Sequence, residues 1–82
     1  MFASKPNPQD GEVAKSAKQR FKANLIALRK ERGLTQKRAA EVASLNYKTY
    51  QHLELGIRDN PTLEVLEKLA RGFGVRIGEL VD

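Results

Sequence analysis

Between Leu45 and Gly56 the chain reads LNYKTYQHLELG. Within it Tyr47, Lys48, Tyr50, Gln51 and His52 put two phenols, an ammonium, a carboxamide and the sequence's one imidazole inside six positions. These are hydrogen-bond donors and acceptors on aromatic or long aliphatic stems, groups suited to recognising another polar surface. They do not make a catalytic set. A single histidine, with no cysteine among the 82 residues, supplies neither the converging ligands of a zinc site nor a nucleophile paired with a base. No glycine-rich strand-to-helix loop is present to cradle a phosphate. The sequence predicts no enzyme, no cofactor and no metal.

Helical periodicity says what must hold these residues. Asn46 is an N-cap candidate and Gly56 a stop, so a helix runs from about residue 46 to 55. At 100° per residue, Tyr50, Leu53 and Glu54 fall on one side, which packs, while Tyr47, Lys48, Gln51, His52 and Leu55 spread over the outer arc. Ahead of it, Thr35 caps a short helix, about Gln36 to Ala43, whose narrow apolar face is Ala39, Ala40 and Ala43. Phe21, Leu25 and Leu28 recur at helical spacing in a basic helix that starts near Ser16 and stops at Gly33. After a turn containing Asp59, Asn60 and Pro61, Thr62 caps a fourth helix with the stripe Leu63, Leu66, Leu69, Ala70 and Phe73, closed by Gly72 and Gly74. The tail VRIGELVD predicts a short fifth helix with Ile77, Leu80 and Val81 turned inward, weakened by Gly78 and by Arg76, a poor cap.

Met1 to Lys15 has Pro6, Pro8 and Gly11 and no apolar period, so it reads as a flexible arm ahead of one domain, residues 16 to 82. The fold class expected is an all-α, compact five-helix bundle, with no strand signal.

Charge narrows the partner. Fifteen Lys and Arg against ten Asp and Glu give +5, with a pI near 9.8. Residues 1 to 38 hold ten cations and three anions, a net +7, and residues 39 to 82 hold five and seven, a net −2. A field of that sign on the first half of the chain suits a polyanion. No apolar run approaches the roughly 20 residues that span a bilayer, and no secretory signal opens the chain. No membrane association and a cytoplasmic location are expected.

The second and third helices, joined by about three residues, have the helix-turn-helix arrangement. The string GLTQKRAAEVASLNYKTYQHLELGIRDNPTLEVLEKLARGFGV resembles the Cro and phage-repressor-like helix-turn-helix family, also called the Xre family. It does so through Leu34, Thr35, Gln36, Ala40, Glu41, Thr49, Leu53, Glu54, Gly56, Asn60, Pro61, Thr62, Leu63, Leu66, Leu69, Ala70 and Val75. Leu25, Leu28 and Arg29 extend the match into helix one. Four positions depart from the pattern. Ser44 stands where the family usually has glycine, so either a serine takes a left-handed backbone there or the turn adjusts. Ala39 and Ala43 are smaller than usual, and Tyr50 is larger, filling the volume they leave.

The resemblance implies a sequence-specific DNA-binding transcriptional regulator, a repressor, with helix three in the major groove. Tyr47, Lys48 and His52 stand where the family's base readers stand, and helical geometry adds Gln51; these groups can reach base edges. Thr35, Gln36 and Asn46 at helix starts, with Lys37, Arg38, Arg58 and Asn60 beside them, are the expected phosphate contacts. The family pairing of a helix-one arginine with the helix-three glutamate implies an Arg29–Glu54 ion pair. Double-stranded DNA is the expected partner, bound by a homodimer joined at the C-terminal helix through Ile77, Leu80 and Val81. The alternative is an antitoxin-type module that captures a toxin or other protein through its arm and also binds its own operator.

Overall fold

A computed structural model describes residues 8 to 56 and 61 to 82, with side chains from residue 18 onward. Five helices follow in order: α1 Pro8–Glu31, α2 Gln36–Val42, α3 Tyr47–Leu55, α4 Leu63–Phe73 and α5 Ile77–Val81. No strand occurs among the described residues.

The largest departure from the sequence reading is the start of α1. It begins at Pro8, not near Ser16, so residues 8 to 15 of the expected arm are helical. Proline suits the first turn, where its missing N–H has no intrahelical partner to lose. A helix already nucleated further along also propagates at small cost per residue. Residues 1 to 7 of the arm lie outside the described residues.

The starts of α2, α3 and α4 are each capped by a side chain. Thr35 Oγ1 accepts from the Arg38 amide at 3.1 Å, Asn46 Oδ1 from the Lys48 amide at 2.8 Å, and Thr62 Oγ1 from the Val65 amide at 3.1 Å. Helix α5 is capped from the other side of the start. Glu79, three residues on, accepts from the Arg76 amide at 3.1 Å, which is half of a capping box and supplies what Arg76 lacks.

Three helices end in the same double hydrogen-bonded turn. After α1, Gly33 N–H donates to Lys30 O and Leu34 N–H to Arg29 O; after α2, Ser44 to Glu41 and Leu45 to Ala40; after α4, Gly74 to Arg71 and Val75 to Ala70. The residue at the bend is left-handed in all three, with φ of 65° at Gly33, 57° at Ser44 and 70° at Gly74. This turn favours glycine because a Cβ crowds the backbone there. Of the two alternatives at Ser44, the chain takes the left-handed serine.

The core is Leu25 from α1, Ala39 and Ala40 from α2, Ala43 in the turn, Tyr50 and Leu53 from α3, Leu69, Ala70 and Phe73 from α4, and Leu80 from α5. Helix α1 packs on α3 and α5, α2 on α3 and α4, and α4 on α5. The bulky Tyr50 is fully buried in the same cluster as the small Ala39 and Ala43. Gly72 is helical, in the last turn of α4, and a Cβ there would meet Val42 O at 2.5 Å and Ala43 Cα at 2.8 Å. Its job is to let α4 press against the end of α2. Leu63, assigned to the α4 stripe, is 65% exposed, and Val81, assigned inward, is 36% exposed. Both lie in terminal turns of short helices, where few neighbouring elements remain to cover them.

Candidate nucleic-acid interface

Two elements make the candidate surface, the start of α2 and the outer arc of α3. They are held together by one buried carboxylate. Glu54 is 3% exposed, yet both its oxygens are engaged. Arg29 grips it side-on, with Nε 2.6 Å from Oε2 and Nη2 3.1 Å from Oε1. Gln36 Nε2 donates to Oε1 at 2.9 Å, and the Tyr50 hydroxyl donates to Oε2. Those four bonds fill the acceptor capacity of a carboxylate. The remaining guanidinium nitrogen of Arg29, Nη1, donates to Leu34 O at 3.0 Å, fixing the turn that leads into α2.

The electrostatics follow from this geometry. Burial alone pushes the Glu54 carboxyl up, but donation from Arg29, Gln36 and Tyr50 outweighs it and holds the pKa below the ordinary 4.5. The hydrogen bond to Glu54 raises the Arg29 pKa further. Burial, then the Glu54 carboxylate beside it, pushes the Tyr50 phenol up. The cluster therefore stays charge-paired, with a neutral tyrosine, at neutral pH. It ties α1, α2 and α3 into one unit.

With α3 anchored through Tyr50, Leu53 and Glu54, its other side is left to solvent. Lys48 is exposed, Tyr47 is 45% exposed, and Gln51 and His52 are partly exposed. Helical angle alone puts Tyr47 only about 60° from Tyr50. Its exposure comes instead from its place in the first turn, with no earlier turn of α3 beside it. Leu55 is 55% exposed at the far end of the same arc.

The expected phosphate contacts divide. Thr35 and Asn46 are exposed at helix starts, with their side-chain oxygens occupied as caps. Lys37 is exposed, and so is Arg38, whose Nη1 is paired with Glu41 Oε1 at 2.7 Å. Gln36 is turned inward to Glu54 through its amide nitrogen, an inward tie that the sequence reading did not include. Arg58 and Asn60 lie outside the described residues. Of the three C-terminal residues expected at a dimer surface, Leu80 is fully buried, and its carbonyl accepts from Asn24 Nδ2 at 3.0 Å. It belongs to the core that joins α5 to α1 and is withdrawn from any partner surface.

One structural cation escaped the sequence reading. Arg32, the residue that follows α1, donates through Nε and Nη2 to Phe73 O at 3.1 and 2.7 Å, and stands 5.6 Å from the centre of the Phe73 ring. It neutralises the carbonyl end of α4. Helical periodicity does not distinguish such a clamp from a solvated arginine.

Comparison with known proteins places this arrangement. Residues 25–80 match the model of a helix-turn-helix family. The chain is 41% identical over 62 residues, 76% of its length, to the cryptic phage CTXphi transcriptional repressor RstR of Vibrio cholerae, covering 55% of that protein. It is 40% identical over 58 residues, 71% of its length, to the HTH-type transcriptional regulator DdrOP3 of Deinococcus deserti, covering 44% of it. The chain thus spans about half the length of the curated relatives it matches. No solved structure matches. The match begins at Leu25, takes in the Arg29–Glu54 anchor and both short helices, and ends in α5 at Leu80, so it covers the whole helical core just described: the chain belongs to the Cro/C1-type helix-turn-helix family.

Proposed function

We propose that this chain is a cytoplasmic, sequence-specific regulator of transcription, acting as a repressor, that binds double-stranded DNA with α3 in the major groove. The observation that carries the reading is the polarity of α3. One side is locked to α1 and α2 through Glu54, and the other presents Tyr47, Lys48, Gln51 and His52 from a rigid support. Lys48 can donate to guanine O6 or N7, Gln51 can pair with adenine N6 and N7, and Tyr47 and His52 can bond to or pack against base edges. The relatives' names, a transcriptional repressor and a transcriptional regulator, support the same reading.

In this reading phosphates are held by the starts of α2 and α3, by Lys37, by Arg38 once it exchanges Glu41 for a phosphate oxygen, and by Arg58 and Asn60. Gln36 keeps one amide hydrogen on Glu54, which leaves the other for a phosphate oxygen. Two copies join at the C-terminal end through Val81 and the partly exposed Ile77, setting two half-sites about 10 bp apart. Nothing among the described side chains favours the protein-capture alternative.

The test compares binding to a duplex enriched from a random pool with binding to its scrambled counterpart. Lys48→Ala should lose about 1–3 kcal/mol on the enriched duplex and relax choice at one base position. Gln36→Ala should weaken both duplexes alike. Equal loss on the two duplexes for Lys48→Ala would remove Lys48 from the base readers.

A further inference from the structure

Helix α1 carries cations that neither the Glu54 anchor nor the helix-turn-helix surface uses, and their placement is not random. At about 100° per residue, Lys18, Lys22, Leu25 and Arg29 fall within a stripe about 60° wide, whereas Arg20 lies on the opposite side. Arg29 fixes where that stripe points, because it grips Glu54 near the end of α3. Leu25 is fully buried beneath it.

Towards the N-terminal end of α1 the same stripe runs out past the end of α3. Lys22 crosses Gly56, the left-handed residue that ends α3: a Cβ there would lie 3.8 Å from Lys22 Cδ and 4.0 Å from its Nζ. The carbonyl end of a helix attracts a cation. Lys18 and Lys22 are both exposed, and among the described residues Lys22 makes no ion pair.

We propose that Lys22, with Lys18 one turn before it, forms a second phosphate-binding surface on α1 beside the C-terminal end of α3, and that its partner is the backbone of the same duplex whose bases α3 reads. This rests on the DNA-binding reading above. A helix of nine residues is about 13 Å long, close to the roughly 12 Å width of the major groove. Phosphates therefore lie near both ends of α3. The capped starts of α2 and α3 serve one end, and the α1 stripe serves the other. A contact of this kind adds affinity and salt sensitivity without adding sequence choice.

The experiment measures affinity for the enriched and the scrambled duplex across a salt series, using the full chain. Lys22→Gln should reduce the slope of log K against log salt by about 0.9 and lower affinity about fivefold near 0.15 M salt, equally on both duplexes. Lys22→Arg should keep the wild-type slope. Arg20→Gln, the same charge change on the opposite side of α1, should leave the slope unchanged, and the thermal midpoints of all variants should match the wild type. A Lys22→Gln slope equal to wild type, or a loss shared by Arg20→Gln, overturns the proposal while leaving the DNA-binding reading intact. Absence of duplex binding by the wild-type chain overturns both.

Discussion

Glu54 is the residue on which most of this molecule's specificity of form converges. Removing its side chain would leave Arg29 partly buried without its carboxylate, so Glu54→Ala should cost about 3–5 kcal/mol in denaturant unfolding. Replacing both partners by apolar groups, Arg29→Met with Glu54→Leu, should cost less than the single change. The pH dependence has a definite sign. The folded carboxyl has a pKa below the ordinary 4.5, so below that value the unfolded chain takes up the proton first. The pair's contribution is complete above about pH 4.5 and is lost as pH falls through the lowered folded pKa. The acid side of the melting-temperature profile should therefore be flatter in Glu54→Gln than in the wild type. At this scale the sequence was only partly readable. Helical angle separates Tyr50 and Leu53 from Lys48 and His52, but the choice of Arg29 as partner came from family resemblance. That Gln36 and Tyr50 complete the carboxylate's four bonds depends on how three helices meet, which no local pattern encodes.

The elements show the same division between local rules and tertiary contact. Three helices end in one kind of turn, and the one inside the helix-turn-helix has serine where the other two have glycine. Ser44→Gly should stabilise the fold by about 0.5–1 kcal/mol, the relief of a left-handed side chain less the extra freedom of glycine in the unfolded chain. This would be read as a higher urea midpoint at unchanged slope. Gly72→Ala should act in the opposite sense. Alanine is the better helix former, but its Cβ would meet the backbone of residues 42 and 43, and overpacking of this kind costs about 1–3 kcal/mol. The caps at Thr35, Asn46 and Thr62 were legible because each sits one residue ahead of a helical run. Glu79 was equally legible in principle, three residues after Arg76, at the spacing of a capping box. The role of Gly72 was not, since a glycine near a helix end reads as a stop until the neighbouring helix is in view. The early start of α1 was missed for a related reason: apolar periodicity marks where a helix packs, and a helix can extend beyond its packed part.

At the scale of the whole molecule, α1 is the brace. It binds α3 through Arg29 and the end of α5 through Asn24, and Arg32, the residue that follows it, holds the end of α4, leaving α2 and α3 to present a surface they do not have to stabilise alone. No helix among the described residues is long and apolar enough to cross a membrane. If the chain pairs through its C-terminal end, Val81→Glu should weaken pairing in sedimentation while the thermal midpoint of the dilute protein changes little, because Val81 is 36% exposed whereas Leu80 beside it is buried. We propose above all that the outer arc of α3 reads base sequence. It is tested most directly by selecting bound duplexes from a random pool at near-physiological salt, in parallel for the wild type and Lys48→Ala. The expected result is an enriched two-fold motif with half-sites about 10 bp apart, and loss of preference at one position of each half-site in the variant. A flat pool, or identical motifs from the two proteins, would contradict it.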